Sequence, residues 1–162
     1  MAYGDSKRCR KFAVDAMLKN IVSWLRILGY DTIYWGGEDN ELLRLAKREG
    51  RTILTMDRDL ALSALRNGLE VILITNNEPS DILANLASRY GISLDFNPDQ
   101  TRCPICNHVL TLSRNGEREE WLCPNCGKKY WRGSHWKNIS RVFEEARKKA
   151  GLAGNPRRRP TF

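Results

Sequence analysis

Apolar residues recur along the first hundred positions as short runs that alternate with helical stripes. Lys11-Phe12-Ala13-Val14 is an apolar run ending in Asp15, and Met17, Ile21, Trp24, Leu25 and Leu28 then share one helical face before Gly29 stops it. Thr32-Ile33-Tyr34-Trp35 reads as a second strand, broken by Gly36-Gly37. Asp39 or Asn40 can cap a helix through Leu42, Leu43, Leu45 and Ala46 to a stop at Gly50. Arg51–Thr55 leads into a helix ending near Gly68, and Val71–Thr75 into one from about Pro79 to Gly91. Four β-α units in succession predict an α/β fold, a parallel sheet with helices on both faces. No fixed-period repeat or low-complexity tract interrupts them.

Such a sheet opens all its strand C-termini on one edge, so residues just past the strands share a crevice where ligands bind. Asp15 follows strand 1, the group Glu38, Asp39 and Glu41 follows strand 2, and Asp57 with Asp59 follows strand 3. Carboxylates gathered this way repel one another unless a divalent cation sits among them, and hard oxygen ligands point to Mg²⁺ or Mn²⁺. Helix capping accounts equally well for Asp39 taken alone. The chain has no G-x-x-x-x-G-K-[ST] loop and no G-x-G-x-x-G after strand 1, so nucleotide-binding versions of the sheet lose support. A phosphate-receiving regulator is disfavoured too, because strand 1 ends in one acid and no fifth strand carrying a lysine follows.

Beyond residue 100 the pattern changes. Cys103, Cys106, Cys123 and Cys126 spell C-x2-C-x16-C-x2-C, while Cys9 stands alone. Each close pair can form a knuckle aiming two thiolates at one ion, and four sulfurs fill the tetrahedral shell of a structural zinc. That closed shell leaves no position for water, so the zinc folds the unit and does no catalysis. Between the pairs, Asn115-Gly116 predicts a type I′ hairpin, which completes the outline of a zinc ribbon. After Ser134, a plausible cap, Ile139, Val142, Phe143 and Ala146 make an apolar stripe on a C-terminal helix. The expected organisation is an α/β domain over 1–100, a ribbon over 101–136, and a helix with a basic tail over 137–162.

Composition sharpens this division. The 162 residues, 41% hydrophobic, suffice for one modest core and a small appendage. No apolar run approaches the ~20 residues of a membrane span, and Met1 to Lys11 is polar and basic, so a cytoplasmic protein is expected. The net charge of +8 is uneven: residues 1–100 carry 13 Lys/Arg against 14 Asp/Glu, and residues 101–162 carry 14 against 5. A basic half beside a near-neutral one suits a polyanion partner. Arg114, Arg118, Lys128, Lys129 and Arg132 on the ribbon and Arg157, Arg158 and Arg159 in the tail are the candidate phosphate contacts. Trp121, Tyr130, Trp131 and Trp136 offer faces for unpaired bases, although at least two of them are needed for the ribbon core. His135 lies at no ligand spacing and beside no nucleophile, which favours a structural hydrogen bond.

Four segments taken together are distinctive. Val14-Asp15-Ala16-Met17-Leu18, Trp24-Leu25-Arg26-x-Leu28-Gly29-Tyr30-Asp31-Thr32, Ile53-Leu54-Thr55-x-Asp57-Arg58-Asp59, and Tyr130-Trp131-Arg132-Gly133-Ser134-His135-Trp136 behind the double C-P-x-C resemble the Mut-seven C-terminal RNase family, over roughly residues 10 to 145. That family is a PIN-like nuclease domain fused to a zinc ribbon. The resemblance implies metal-dependent hydrolysis of RNA. Its acidic set maps to Asp15, an acid from the Asp39 or Glu41 region, Asp57 and Asp59. Asp15, Asp57 and Asp59 would hold Mg or Mn, and Thr55 or Ser63 would add a hydroxyl behind them. The expectation is an endonucleolytic ribonuclease whose partner is RNA, ribosomal or pre-ribosomal RNA being one candidate, with no membrane contact and with pairing of copies open. Two other readings are a noncatalytic RNA-binding or ribosome-associated zinc-ribbon protein, and a nuclease for structured DNA. Metal-dependent cleavage separates the first, and RNA–DNA competition the second.

Overall fold

The computed structural model describes residues 9–116 and 118–151. Strands β1 (Lys11–Asp15), β2 (Asp31–Trp35), β3 (Arg51–Thr55) and β4 (Val71–Leu73) form one parallel sheet in the order β2-β1-β3-β4. Helices α1 (Lys19–Ile27), α2 (Asp39–Glu49), α3 (Arg58–Arg66) and α4 (Pro79–Tyr90) join or follow them, as the alternating pattern predicts. Because the chain steps from β1 outward to β2 and then back across β1 to β3, the direction of winding reverses between β1 and β3. α1 and α4 cover one face, closing on Phe12, Val14, Leu54 and Ile72; α2 and α3 cover the other, closing on Ala13 and Ile53. β3 is buried at every position, as a central strand with both faces covered must be.

Two boundaries differ from the sequence reading. Met17 is not helical core: Ala16–Leu18 is a 3₁₀ turn with Met17 62% exposed, and α1 starts at Lys19. β4 stops at Leu73, because its neighbour β3 ends at Thr55 and turns into α3; the bond from the Ile74 N–H to the Thr55 carbonyl is the last between them.

The second sheet is antiparallel, β5 (Thr111–Asn115), β6 (Arg118–Leu122) and β7 (Lys129–Trp131), one strand more than the expected hairpin. Its turn falls one residue later than Asn-Gly suggests. Asn115 pairs with Arg118 as the last strand residue, and Gly116 takes the positive φ of 71°. The core under this sheet is small: Cys103, Leu110, Trp121 and Cys123, with Phe96, Leu112 and Tyr130 packed at its margin. Of the four aromatics, Trp121 is buried, Tyr130 and Trp136 are half-buried, and Trp131 is exposed. Helix α5 (His135–Lys149) returns to the first domain, where Phe143 and Ala146 join the α1–α4 core and Phe143 meets Trp24 edge to face at 5.7 Å.

The two sheets are tied by polar contacts at the N-terminal end of β2. Arg26 donates to the Thr32 carbonyl at 2.9 Å and to the Pro104 carbonyl at 2.9 Å, so one guanidinium holds both domains. Asn107 accepts from the Thr32 N–H at 3.1 Å and donates to Asp31 at 2.7 Å. Asp31 is paired in turn with Arg51, itself buried, at 2.9 Å. Burial pushes the Asp31 carboxyl up, but hydrogen bonds from Asn107 and Arg51 and the charges of Arg51 and Arg102 outweigh it and hold the group below its usual range.

Candidate functional site

The reversal between β1 and β3 is where an open α/β sheet offers its crevice, and acids sit on both of its lips. Asp15 is the last residue of β1, and its carboxylate accepts from the Ala16 N–H at 2.9 Å and from the Thr55 hydroxyl at 2.8 Å. Thr55, fully buried at the end of β3, also accepts from the Asp57 N–H at 2.9 Å. Asp57 caps α3 through bonds from the N–H groups of Asp59 and Leu60. One hydroxyl therefore fixes the strand-end acid and the cap acid against each other.

Asp39 completes the group. It is the first helical residue of α2 and not its cap, a position held by Glu38. It is exposed, like Glu41 and Asp59, but its carboxyl is raised above its ordinary value by slight desolvation first, then by the charges of Asp15 and Asp57. Asp39 is therefore within electrostatic reach of Asp15 and Asp57, although among the described residues their oxygens do not close on one point as the cysteine sulfurs do. Asp59 stands exposed in the first turn of α3 and serves Asp57 through its backbone N–H; Glu41 is exposed in the first turn of α2. Ser63 lies mid-helix, and Thr55 supplies the hydroxyl behind the acids. An oxygen-rich, mutually repelling set of this kind suits a hard divalent cation.

The cysteines form a tighter cluster. Among the described residues they are the group whose donor atoms all lie within 4.8 Å of one another. Cys103 and Cys126 sulfurs are 3.8 Å apart and Cys106 and Cys123 sulfurs 3.3 Å. A Zn–S bond of about 2.3 Å puts tetrahedral sulfurs about 3.8 Å apart, so the set can hold a metal such as zinc. Each knuckle closes alike: the Asn107 N–H bonds the Cys103 carbonyl and the Gly127 N–H bonds the Cys123 carbonyl, both at 2.8 Å. The residue after each second cysteine takes a positive φ, 73° at Asn107 and 80° at Gly127. Asn107 accepts that conformation because its side chain docks on Asp31 and Thr32, and this contrast with Gly127 is the signal in the sequence that one knuckle has a second task. The Cys106 thiol is held down to about 6, first by a hydrogen bond from Asn125 and then by the His108 N–H, while at Cys126 the Lys128 N–H is outweighed by desolvation and the other thiols, which push it up to about 11.

Arg114, Arg118 and Arg132 line one open groove of about 640 Å³ with Gly116 and Glu119 at the ribbon tip. Arg114 and Arg132 are both ion-paired with Glu119, at 3.2 and 3.1 Å, and Arg132 is also set against the rings of Phe96, Trp121 and Trp136, so the groove keeps a net excess of positive charge. Lys128 and Lys129 are exposed beyond it, whereas Arg157, Arg158 and Arg159 lie outside the described residues. The Tyr130–Trp136 segment is chiefly a joint between ribbon and α5. Tyr130 hydroxyl meets Cys103 sulfur at 3.2 Å, and a Cβ on Gly133 would lie 2.9 Å from the Trp131 indole nitrogen, so any other residue there would push the exposed Trp131 ring aside. Among the described residues no helix is long and apolar enough to cross a membrane.

Searches of curated proteins and of solved structures found no match. The family model described as the Mut7-C RNAse domain matches residues 10–143, a span that takes in Asp15, Asp39 and Asp57, both cysteine knuckles and the start of α5, and the chain belongs to that family.

Proposed function

We propose that this protein is a PIN-like, metal-dependent endoribonuclease whose acids at the β1/β3 crevice hydrolyse RNA phosphodiesters, with a zinc-stabilised basic ribbon as its grip. The observation that carries the reading is the Thr55-linked pair Asp15 and Asp57 at the sheet's winding reversal, with Asp39 in electrostatic reach of both, in a chain of an RNAse family. Asp15 and Asp57, with Asp59 at the outer edge, would hold Mg²⁺ or Mn²⁺, which when bound lowers the pKa of an attacking water and offsets charge on the phosphate. Asp15 is oriented by Thr55 and Asp57 by the first N–H groups of α3, so neither carboxylate needs to reorganise when substrate arrives. Asp39, whose carboxyl is raised by desolvation and then by the charges of Asp15 and Asp57, is the member best suited to take up a proton within the group. The unit of function is the α/β domain over residues 1–100, assisted by the ribbon over 101–136 and by the helix and tail over 137–162.

The test is cleavage of labelled single-stranded and hairpin RNA by zinc-loaded protein, with and without added Mg²⁺ or Mn²⁺, beside Asp57→Asn. Cleavage that needs the added ion and vanishes in the variant establishes the reading. Tight binding with intact RNA under every condition gives the protein to the noncatalytic RNA-binding class instead. A matched DNA competitor that displaces RNA equally would move it to DNA.

A further inference from the structure

Where the ribbon, α1 and α5 meet there is a second concavity, remote from the acids. It is a cavity of about 270 Å³ lined largely by apolar atoms, with Phe96, Trp121, Trp131, His135 and Trp136 in its wall. It is smaller than a drug-sized pocket of ~300 Å³ or more and has room for one planar ring system. Its neighbour is the arginine groove. Trp131 lines the cavity while Arg118, from the groove, lies 5.1 Å over its ring; Trp136 lines the cavity while Arg132, also from the groove, lies 4.8 Å over its ring. A cationic trough and an aromatic slot thus share two residue pairs as their common wall.

We infer that this cavity seats a single unpaired RNA base whose flanking phosphates lie in the Arg114–Arg118–Arg132 groove. The inference rests on the RNA reading above. Every base has a π-face for Trp131, so stacking there tolerates any sequence. His135 sits at the rim and can donate or accept a hydrogen bond at the base edge, which is where preference among bases would arise. An apolar peptide side chain would fill the slot equally well but would have no use for three arginines beside it.

The placement fixes a distance. α5 starts at the cavity with His135 and ends at Lys149, which pairs with Asp81 at 2.8 Å at the start of α4, on the edge where the strands end. Fifteen helical residues span about 20 Å. That length separates the slot from the start of α4, so the slot stands well away from the strand-end edge on which Asp15 and Asp57 lie.

The experiment uses the full zinc-loaded chain carrying Asp57→Asn, without added Mg²⁺ or Mn²⁺, and measures binding of a single-stranded decamer and of decamers made abasic at one position in turn. One position is expected to lose about tenfold or more in affinity when its base is removed. That loss should disappear in Trp131→Ala and return in Trp131→Phe, and unchanged melting and zinc content should show that Trp131→Ala still folds. Nucleoside monophosphate should also quench indole fluorescence in the parent and not in Trp131→Ala. Equal binding by every abasic decamer, or a base effect that survives Trp131→Ala, overturns the slot while leaving the ribonuclease reading standing. Failure to bind any RNA removes both.

Discussion

The Thr55 hydroxyl donates to the Asp15 carboxylate at 2.8 Å, and the same oxygen accepts the Asp57 N–H. Thr55→Val keeps the shape of the side chain but deletes both bonds, leaving the Asp15 carboxylate held only by the Ala16 N–H and the half-buried Asp57 N–H unpaired. We expect a stability loss of about 1–3 kcal/mol. Cleavage should fall about tenfold or more, with a higher Mn²⁺ concentration needed for half-maximal rate, and Thr55→Ser should recover most of it. A Val variant that cuts at the parent rate with the parent metal requirement would remove Thr55 from the site.

Asp57 has two tasks that substitution can part. As the cap of α3 it accepts from Asp59 and Leu60 N–H groups, and asparagine caps about as well as aspartate. Asp57→Asn is therefore expected to melt near the parent temperature with cleavage abolished and RNA affinity kept. Asp57→Ala should lose cleavage and also about 1 kcal/mol of stability. Melting curves beside rates decide this; an Asn variant that loses RNA binding along with cleavage would count against a purely catalytic carboxylate.

Asn107 joins the ribbon to the α/β domain through Asp31 and Thr32. Asn107→Gly keeps the positive φ, as Gly127 does in the other knuckle, so zinc binding should persist while docking weakens by about 1–3 kcal/mol. Asp31 is held below its usual range when docked, so its contribution is present above the unfolded carboxylate pKa and is lost as pH falls through the lower folded value. Amide exchange in β5–β7 should rise in Asn107→Gly, and the acid-induced loss of stability should be shallower than in the parent. Unchanged exchange would mean that Arg26, with Thr101 and Arg102, which bond to the Ile27 and Gly29 carbonyls, carries the joint without Asn107.

The order of elements was legible because burial on both faces of a parallel sheet forces apolar strands between amphipathic helices, and C-x2-C spacing leaves little freedom in what it builds. The acids were legible by topology, since Asp15 and Asp57 lie just where strands of one sheet must end. What escaped is long-range and polar. Nothing near Arg26 in the sequence announces that its guanidinium bridges Thr32 and Pro104, 78 residues further on. Met17 fits the helical period yet faces solvent, because the Asp15 cap bond to Ala16 winds the chain into a 3₁₀ turn before α1 begins. The hairpin slipped by one residue because β5–β6 pairing extends through Asn115, a local choice that the Asn-Gly signal does not resolve.

Asp39 tests whether the crevice is built for a cation or is only a helix start. Its carboxyl is raised by slight desolvation and then by Asp15 and Asp57, so the protonated form suits the fold better than the ionised one. Stability from this group is fully present below the unfolded carboxylate pKa and is lost as pH rises through the higher folded value. At neutral pH Asp39→Asn should therefore melt above the parent when no divalent ion is added, and the gap should close as pH drops into the carboxylate range. Mn²⁺ should reverse the ranking, because an ion that binds only the folded state stabilises by mass action and the parent offers it one more charge. Cleavage by the variant should fall with its Mn²⁺ affinity. If Asp39 merely favoured the positive end of α2, Asn would lower the melting temperature without added ion and Mn²⁺ would shift both proteins alike; melting curves at two pH values, with and without the ion, distinguish the two.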